Sequence, residues 1–224
     1  MSESKIIIGV DEVGKGALAG PLVIAAAAFV RGAAPVTAVF KGLRSDKQLM
    51  VGDSKSFTNP AHREVLAAAV GVSAAATGVI ERSNKEIDER LMFNIFPEAL
   101  KLCISRIVES LRATHHGAEP DDFLVLIDGD IYVPSGIPCP WRTIIDGDKL
   151  VWQIGAASLL AKVHRDTKML LLHEQHPKYQ FDKNKGYPVP AHKTLLKKHG
   201  PSPVHRRSYK PVAEWNGVPE GFEA

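Results

Sequence analysis

The chain has 224 residues, 45% hydrophobic and 24% charged, a composition that builds one substantial core and excludes a disordered tail or a disulfide-stapled miniature. Its 28 basic and 25 acidic side chains leave a net charge of +3. Cys103 and Cys139 stand at no metal-ligand spacing and no charged-then-apolar leader precedes Ile6, which predicts neither a disulfide framework nor secretion, and a place in the reducing cytoplasm. The longest apolar run, Pro21 to Val30, is about half a bilayer span, so no membrane segment is expected.

The β-branched run from Lys5 to Val10 and the apolar run from Leu22 to Val30, joined through the glycine-rich turn Gly14 to Gly20, predict two adjacent strands buried on both faces. Val36 to Phe57 lacks periodicity and reads as a long connection. Thr58-Asn59-Pro60 supplies a cap and a first-turn proline for a helix ending near Gly71, and Ala74 to Ile80 reads as a third strand. After Pro97, apolar residues at Leu100, Ile104, Ile107, Val108 and Leu111 give the strongest helical period in the chain, which His115-His116-Gly117 ends.

Phe123 to Ile127 and Arg142 to Ile145 are short predicted strands that exit at Asp128-Gly129 and Asp146-Gly147-Asp148. A long helix follows from Leu150, with the small-residue patch Gly155-Ala156-Ala157-Ser158 and a stop at Pro177; a further helix near Ala191 to His199 is closed by Gly200-Pro201. The order predicts an α/β core with a C-terminal helical cap, divided as 1–165 and a basic region 166–224. No internal repeat is visible.

Charge is unevenly spread. Lys162 to Lys210 carries twelve Lys or Arg against three acids, a net +9 that leaves the rest of the chain at −6, and six of the nine histidines fall there. Such a segment is either a solvated basic face or a footprint for a polyanion. Asp11 and Glu12 directly follow an apolar strand, and two more strand ends deliver acids. Asp-Gly alone is an ordinary turn dipeptide. Three acidic strand ends on one rim of a sheet, however, repel unless cations sit between them, and hard oxygen ligands without a Cys or His cluster select Mg²⁺ or Mn²⁺. Two such ions about 4 Å apart form a phosphodiester-cleaving clamp.

Two other classes fit less well. The glycines from Gly14 to Gly20 superficially resemble a dinucleotide-binding turn, but the spacing is off by one and no acid follows until Asp46. A non-catalytic nucleic-acid-binding module would need only the basic tail, and the clustered acids would repel phosphate unless metals were bound.

Gly9-Val10-Asp11-Glu12-Val13-Gly14-Lys15-Gly16 and Leu18-Ala19-Gly20-Pro21 resemble the opening signature of ribonuclease HII, the type 2 ribonuclease H. The resemblance continues through Asp53-Ser54-Lys55, Leu126-Ile127-Asp128-Gly129, Asp146-Gly147-Asp148, Ala156 to Asp166, Lys185-Gly186-Tyr187, Gly200-Pro201-Ser202 and His205-Arg206-Arg207-Ser208. It implies a ribonuclease H-like mixed sheet flanked by helices, with a C-terminal helical region. The implied activity is hydrolysis of the RNA strand of RNA/DNA hybrids and incision 5′ of ribonucleotides embedded in duplex DNA, as in ribonucleotide excision repair, by a monomer. The implied catalytic and metal-binding acids are Asp11, Glu12, Asp128 and Asp148, holding two Mn²⁺ or Mg²⁺ ions and leaving 5′-phosphate and 3′-hydroxyl ends.

Gly14, Lys15, Gly16 and Tyr187 correspond to the family's reader of the ribose 2′-hydroxyl, while Lys55, Lys162, Arg165, Arg206 and Arg207 are candidates for holding phosphates. Within the DGD triplet both acids are available, and similarity selects Asp148. The chain departs from the family pattern at Lys15 (commonly Arg), Asp130 (Asn), Asp146 (Lys), Asn184 (His) and Val189 (Thr), and in a longer connection between Ala34 and Asp53.

Overall fold

Five β-branched residues among the eight of Ile6–Val13 make the opening segment a strand, β1, buried along nearly its whole length. A computed structural model describes residues 5–40, 47–51 and 59–215. The other strands are β2 (Leu22–Val30), β3 (Thr37–Phe40), β4 (Lys47–Met50), β5 (Ala76–Arg82), β6 (Phe123–Asp128) and β7 (Trp141–Ile144). The helices are α1 (Pro60–Ser73), α2 (Asn84–Arg90), α3 (Met92–Thr114), α4 (Gly147–Leu150), α5 (Trp152–Gln175), α6 (Phe181–Asn184) and α7 (Pro190–His199). The chain divides into two compact units, one of residues 1–12, 24–80 and 97–163, the other of 13–23, 81–96 and 164–224.

The main sheet has the order β5-β2-β1-β6-β7, so β1 and β2 are neighbours as their double burial predicts. β1 and β6 run parallel with Val10 opposite Ile127, and β6 and β7 run parallel with Asp128 opposite Ile144. In the first unit, Ala27 and Phe29 of β2 pack on Leu66 and Val70 of α1 and on Ala156 and Leu159 of α5. Burying Leu66 and Val70 contributes roughly 1.5–3 kcal/mol each. The start of α5 presses on β1 at Gly9, where a Cβ would collide with the Gln153 carbonyl. The small-residue patch permits this approach, with Ala156 and Ala157 fully buried.

Local chemistry explains most boundaries. The Asn59 side chain accepts from Ala61 N–H at 3.0 Å and Pro60 opens α1, as the sequence predicts. Three differences appear. Within the expected connection after Val36, β3 and β4 form an antiparallel pair with Thr37 opposite Met50; four-residue strands are too short to show alternation. Helix α2 is opened by a reciprocal box, Ser83 Oγ accepting from Glu86 N–H while Glu86 accepts from Ser83 N–H. Helix α3 begins at Met92, ahead of Pro97, which sits in its second turn and withholds one N–H from the ladder.

In the second unit, Ala19 bridges His205 in antiparallel fashion and packs with Met169, Tyr179 and Phe181. Leu18, Leu196 and Val212 form a smaller cluster beside it.

Candidate active site

The register of parallel strands puts the carboxylates together. Asp11 follows Val10, the partner of Ile127, so Asp11, inside β1 where the sequence predicts the strand already ended, stands level with Asp128 at the end of β6. Asp11 is 7% exposed. Burial pushes its carboxyl up to about 7; a hydrogen bond from Ser158 opposes the rise, and the charges of Glu12 and Asp128 add to it. Ser158 is a site residue that its place in a small-residue patch concealed.

Asp128 Oδ1 accepts from Asp148 N–H at 3.2 Å, which ties the end of β6 to the first turn of α4. Gly147 makes that approach possible: a Cβ there would lie 2.6 Å from Ile154 Cδ1 and 3.2 Å from Asp128 Oδ1. Asp148 is raised above the ordinary carboxylate range by burial and then by Asp128. Asp146 instead adopts a left-handed conformation (φ 53°) and pairs with Lys149 at 2.6 Å, out in solvent. Within the triplet, Asp148 is the acid that senses Asp128, and the unusual charge at 146 is met by a neighbouring cation.

Carboxylates crowded in this way, Glu12 and Asp128 around Asp11 and Asp128 beside Asp148, are a hard donor set suited to a divalent cation. Among the described residues, no group of three or more His, Cys, Asp or Glu side chains is arranged to hold a metal as it stands. Two of the oxygens are turned onto backbone amides, Asp11 Oδ1 onto Glu12 N–H at 2.7 Å and Asp128 Oδ1 onto Asp148 N–H.

In the second unit, Gly14 (φ 88°) donates its N–H to the Tyr187 hydroxyl oxygen at 3.0 Å. Lys15 and Gly16 are exposed, with the Lys15 ammonium 4.2 Å from the centroid of the Phe96 ring. Nothing stands within 4 Å of where a Gly16 Cβ would project. Asn184 is buried, giving its amide to Tyr179 O at 2.7 Å and accepting from Gly186 N–H at 2.8 Å, so it holds the turn that carries Tyr187.

Arg165 and Arg206 require correction as phosphate holders. Both are fully buried. Arg165 donates to the carbonyls of Pro21, Lys185 and Ala19 at 2.9, 2.9 and 3.2 Å, and Arg206 to those of Gly20 and Lys15 at 3.1 and 3.0 Å. Burial lowers the proton affinity of both, Arg206 down to about 10, which leaves them charged at neutral pH. They brace the glycine-rich loop from beneath, and Tyr209 adds a hydroxyl bond to Lys15 O at 2.8 Å. Arg207 is exposed and Lys162 half-buried; Lys55 lies outside the described residues.

A mixed five-stranded sheet with acids level on adjacent parallel strands defines a ribonuclease H-like phosphodiester hydrolase. The family model for ribonuclease HII matches residues 8–212. Ribonuclease HII of Xanthomonas campestris pv. campestris is 42% identical over 216 residues, covering 96% of this chain and 80% of that one. The enzyme of Nitrosococcus oceani is 41% identical, covering 92% and 89%. A solved structure of the PCNA:RNase HII complex from Archaeoglobus fulgidus superposes with a TM-score of 0.62 at 25% identity, covering 90% and 92%. The chain belongs to the ribonuclease HII family, endonucleases that cleave the RNA strand of RNA/DNA hybrids. Among the described residues no helix is long and apolar enough to cross a membrane.

Proposed function

We propose that this chain incises duplex DNA on the 5′ side of an embedded ribonucleotide as well as cutting hybrids, leaving 5′-phosphate and 3′-hydroxyl ends. Asp11, Glu12, Asp128 and Asp148 would hold two divalent ions, Mn²⁺ or Mg²⁺. The observation that carries this reading is the parallel register that sets Asp11 beside Asp128, with the Asp11 carboxyl pushed up to about 7 among other acids. Bound there, divalent ions supply a lowered pKa for the attacking water and charge neutralisation at the departing 3′ oxygen.

The protein's own groups do the rest. Gly14 lies two residues beyond Glu12, so chain connectivity keeps the Gly14 Cα within about 7 Å of the Glu12 Cα. The Gly14 N–H orients the Tyr187 hydroxyl, leaving its proton free to donate to a 2′ oxygen. The open space over Gly16 admits a sugar. Arg207, Lys162 and Lys55 would contact phosphates, which position a duplex without reading its bases. Two buried, unpaired cysteines fit a monomer working in the reducing cytoplasm.

The test is incubation with a duplex bearing one ribonucleotide, with and without divalent cation. Incision at that position with 5′-phosphate products supports the reading; cleavage of long hybrids alone restricts the chain to the family's coarser activity.

A further inference from the structure

Tyr187 ends a buried hydrogen-bond chain that runs in one direction only. The backbone N–H of Ser202 donates to His205 Nδ1 at 3.0 Å, so that nitrogen carries the lone pair and the ring's proton sits on Nε2. Ser202 Oγ lies 2.7 Å from the same Nδ1 and adds a hydroxyl donor. His205 Nε2 faces His192 Nε2 at 3.1 Å, so His192 accepts there and holds its own proton on Nδ1. That Nδ1 is 2.9 Å from the backbone oxygen of Tyr187. One amide donor thereby dictates both tautomers.

The surroundings keep both rings neutral. His192 is 0% and His205 1% exposed, and Tyr179 and Phe181 enclose them, with centroids 4.8 and 5.6 Å from His205. Burial, then His192 and Arg207, hold His205 down to about 3, and burial lowers His192 as well. A second proton on His192 would set two N–H groups against each other across 3.1 Å, and one on His205 would oppose the Ser202 N–H across 3.0 Å. Apolar side chains would fill this pocket with less desolvation. What imidazoles add is direction, a donor aimed at one carbonyl.

Tyr187 is thus held at two points, its carbonyl by His192 and its hydroxyl by Gly14 N–H, with the Arg165 guanidinium 5.1 Å from its ring centroid. We propose that His192 and His205, anchored by Ser202, are positioning residues that fix the Tyr187 backbone so that its phenol meets the ribose at the height set by Gly14. This rests on Tyr187 being the 2′-hydroxyl reader.

Side-chain amides separate this role from simple packing. His192→Asn retains a donor at the δ position, whereas His192→Gln carries its amide to the ε position and loses the bond to Tyr187. On a single-ribonucleotide duplex the Gln variant should lose about tenfold or more in kcat/KM, and the Asn variant should recover most of it. On a Tyr187→Ala background the Gln substitution should have no further effect. Equal losses for Asn and Gln, or losses that add to that of Tyr187→Ala, overturn the positioning role. A folded Tyr187→Ala variant at parental rate instead overturns the reading of Tyr187 itself. Should the Gln variant fail to fold, ¹⁵N spectra of the parent's histidines decide: protons on His205 Nε2 and His192 Nδ1 at neutral pH are required, and the opposite tautomers contradict the chain.

Discussion

The hydroxyl oxygen of Tyr187 accepts the backbone N–H of Gly14 at 3.0 Å, joining residues 173 positions apart in sequence. A phenol that accepts from the protein still has its own proton to give, and a 2′ oxygen is an acceptor that DNA lacks. Tyr187→Ala should therefore lower kcat/KM at a single embedded ribonucleotide by something like 10- to 100-fold, or roughly 1.4 to 2.7 kcal/mol of transition-state binding. Steady-state rates on that duplex, with circular dichroism to confirm folding, check this; parental rates in a folded variant remove Tyr187 from the site.

The two glycines of the loop should fail differently. At Gly14, φ is +88° and a Cβ would strike Arg165 Nε, so Gly14→Ala should destabilise the fold. At Gly16 a Cβ meets open space, so Gly16→Val should leave the melting temperature near the parent's while cutting turnover at least as much as Tyr187→Ala. Melting curves beside rates distinguish them, and a Gly16→Val enzyme at full speed contradicts close approach of the sugar.

Adjacent arginines should also separate. Arg206→Met would strand the Gly20 carbonyl and leave the Lys15 carbonyl only its Tyr209 bond, costing about 1–3 kcal/mol in chemical denaturation. Arg207→Ala, at an exposed position, should change stability by about 0.5 kcal/mol or less while weakening duplex binding and flattening its salt dependence. The reverse pattern would return Arg206 to the phosphate contacts.

Asp11 makes stability depend on pH in a stated direction. Its folded-state value of about 7 exceeds the ordinary 3.8, so the folded protein binds the proton more tightly and stability falls as pH rises between those values. In EDTA, Asp11→Asn should be the more stable protein near pH 8, by at most about 4 kcal/mol, with no difference below about pH 4. Millimolar Mg²⁺ should stabilise the parent and not the variant. Equal stability of the two in EDTA at high pH would contradict a buried, charge-crowded carboxyl.

How far the sequence reveals this arrangement depends on the range of the interactions. β1, β2, β6 and β7 are legible because apolar runs followed by acids are local signals, and the acids that follow those runs include Asp11, Asp128 and Asp148, although β1 continues through Asp11 to Val13 and Asp148 opens α4. Asn59-Pro60 announced α1 for the same reason. The Ser83–Glu86 box was equally local but lay in a segment without apolar periodicity. Arg165 and Arg206 could not be read: they sit in a basic segment, and their burial depends on carbonyls of a loop nearly 150 or more residues earlier. The Ser202–His205–His192 chain was hidden likewise, since histidines 13 positions apart show no pattern until the fold brings them together.

The central claim, that the strand-end acids bind divalent ions to cut beside a ribonucleotide, is tested most directly by incision of a duplex carrying one ribonucleotide in Mn²⁺ or Mg²⁺ and in excess EDTA. The parent, Asp128→Asn, Asp148→Asn and Asp146→Asn should be compared side by side. An amide is nearly isosteric with a carboxylate but uncharged, so the first two substitutions should lose most activity while keeping the fold, and Asp146→Asn, whose partner is the exposed Lys149, should lose little. Incision undiminished in EDTA, or a fatal Asp146→Asn beside a harmless Asp148→Asn, would contradict the account.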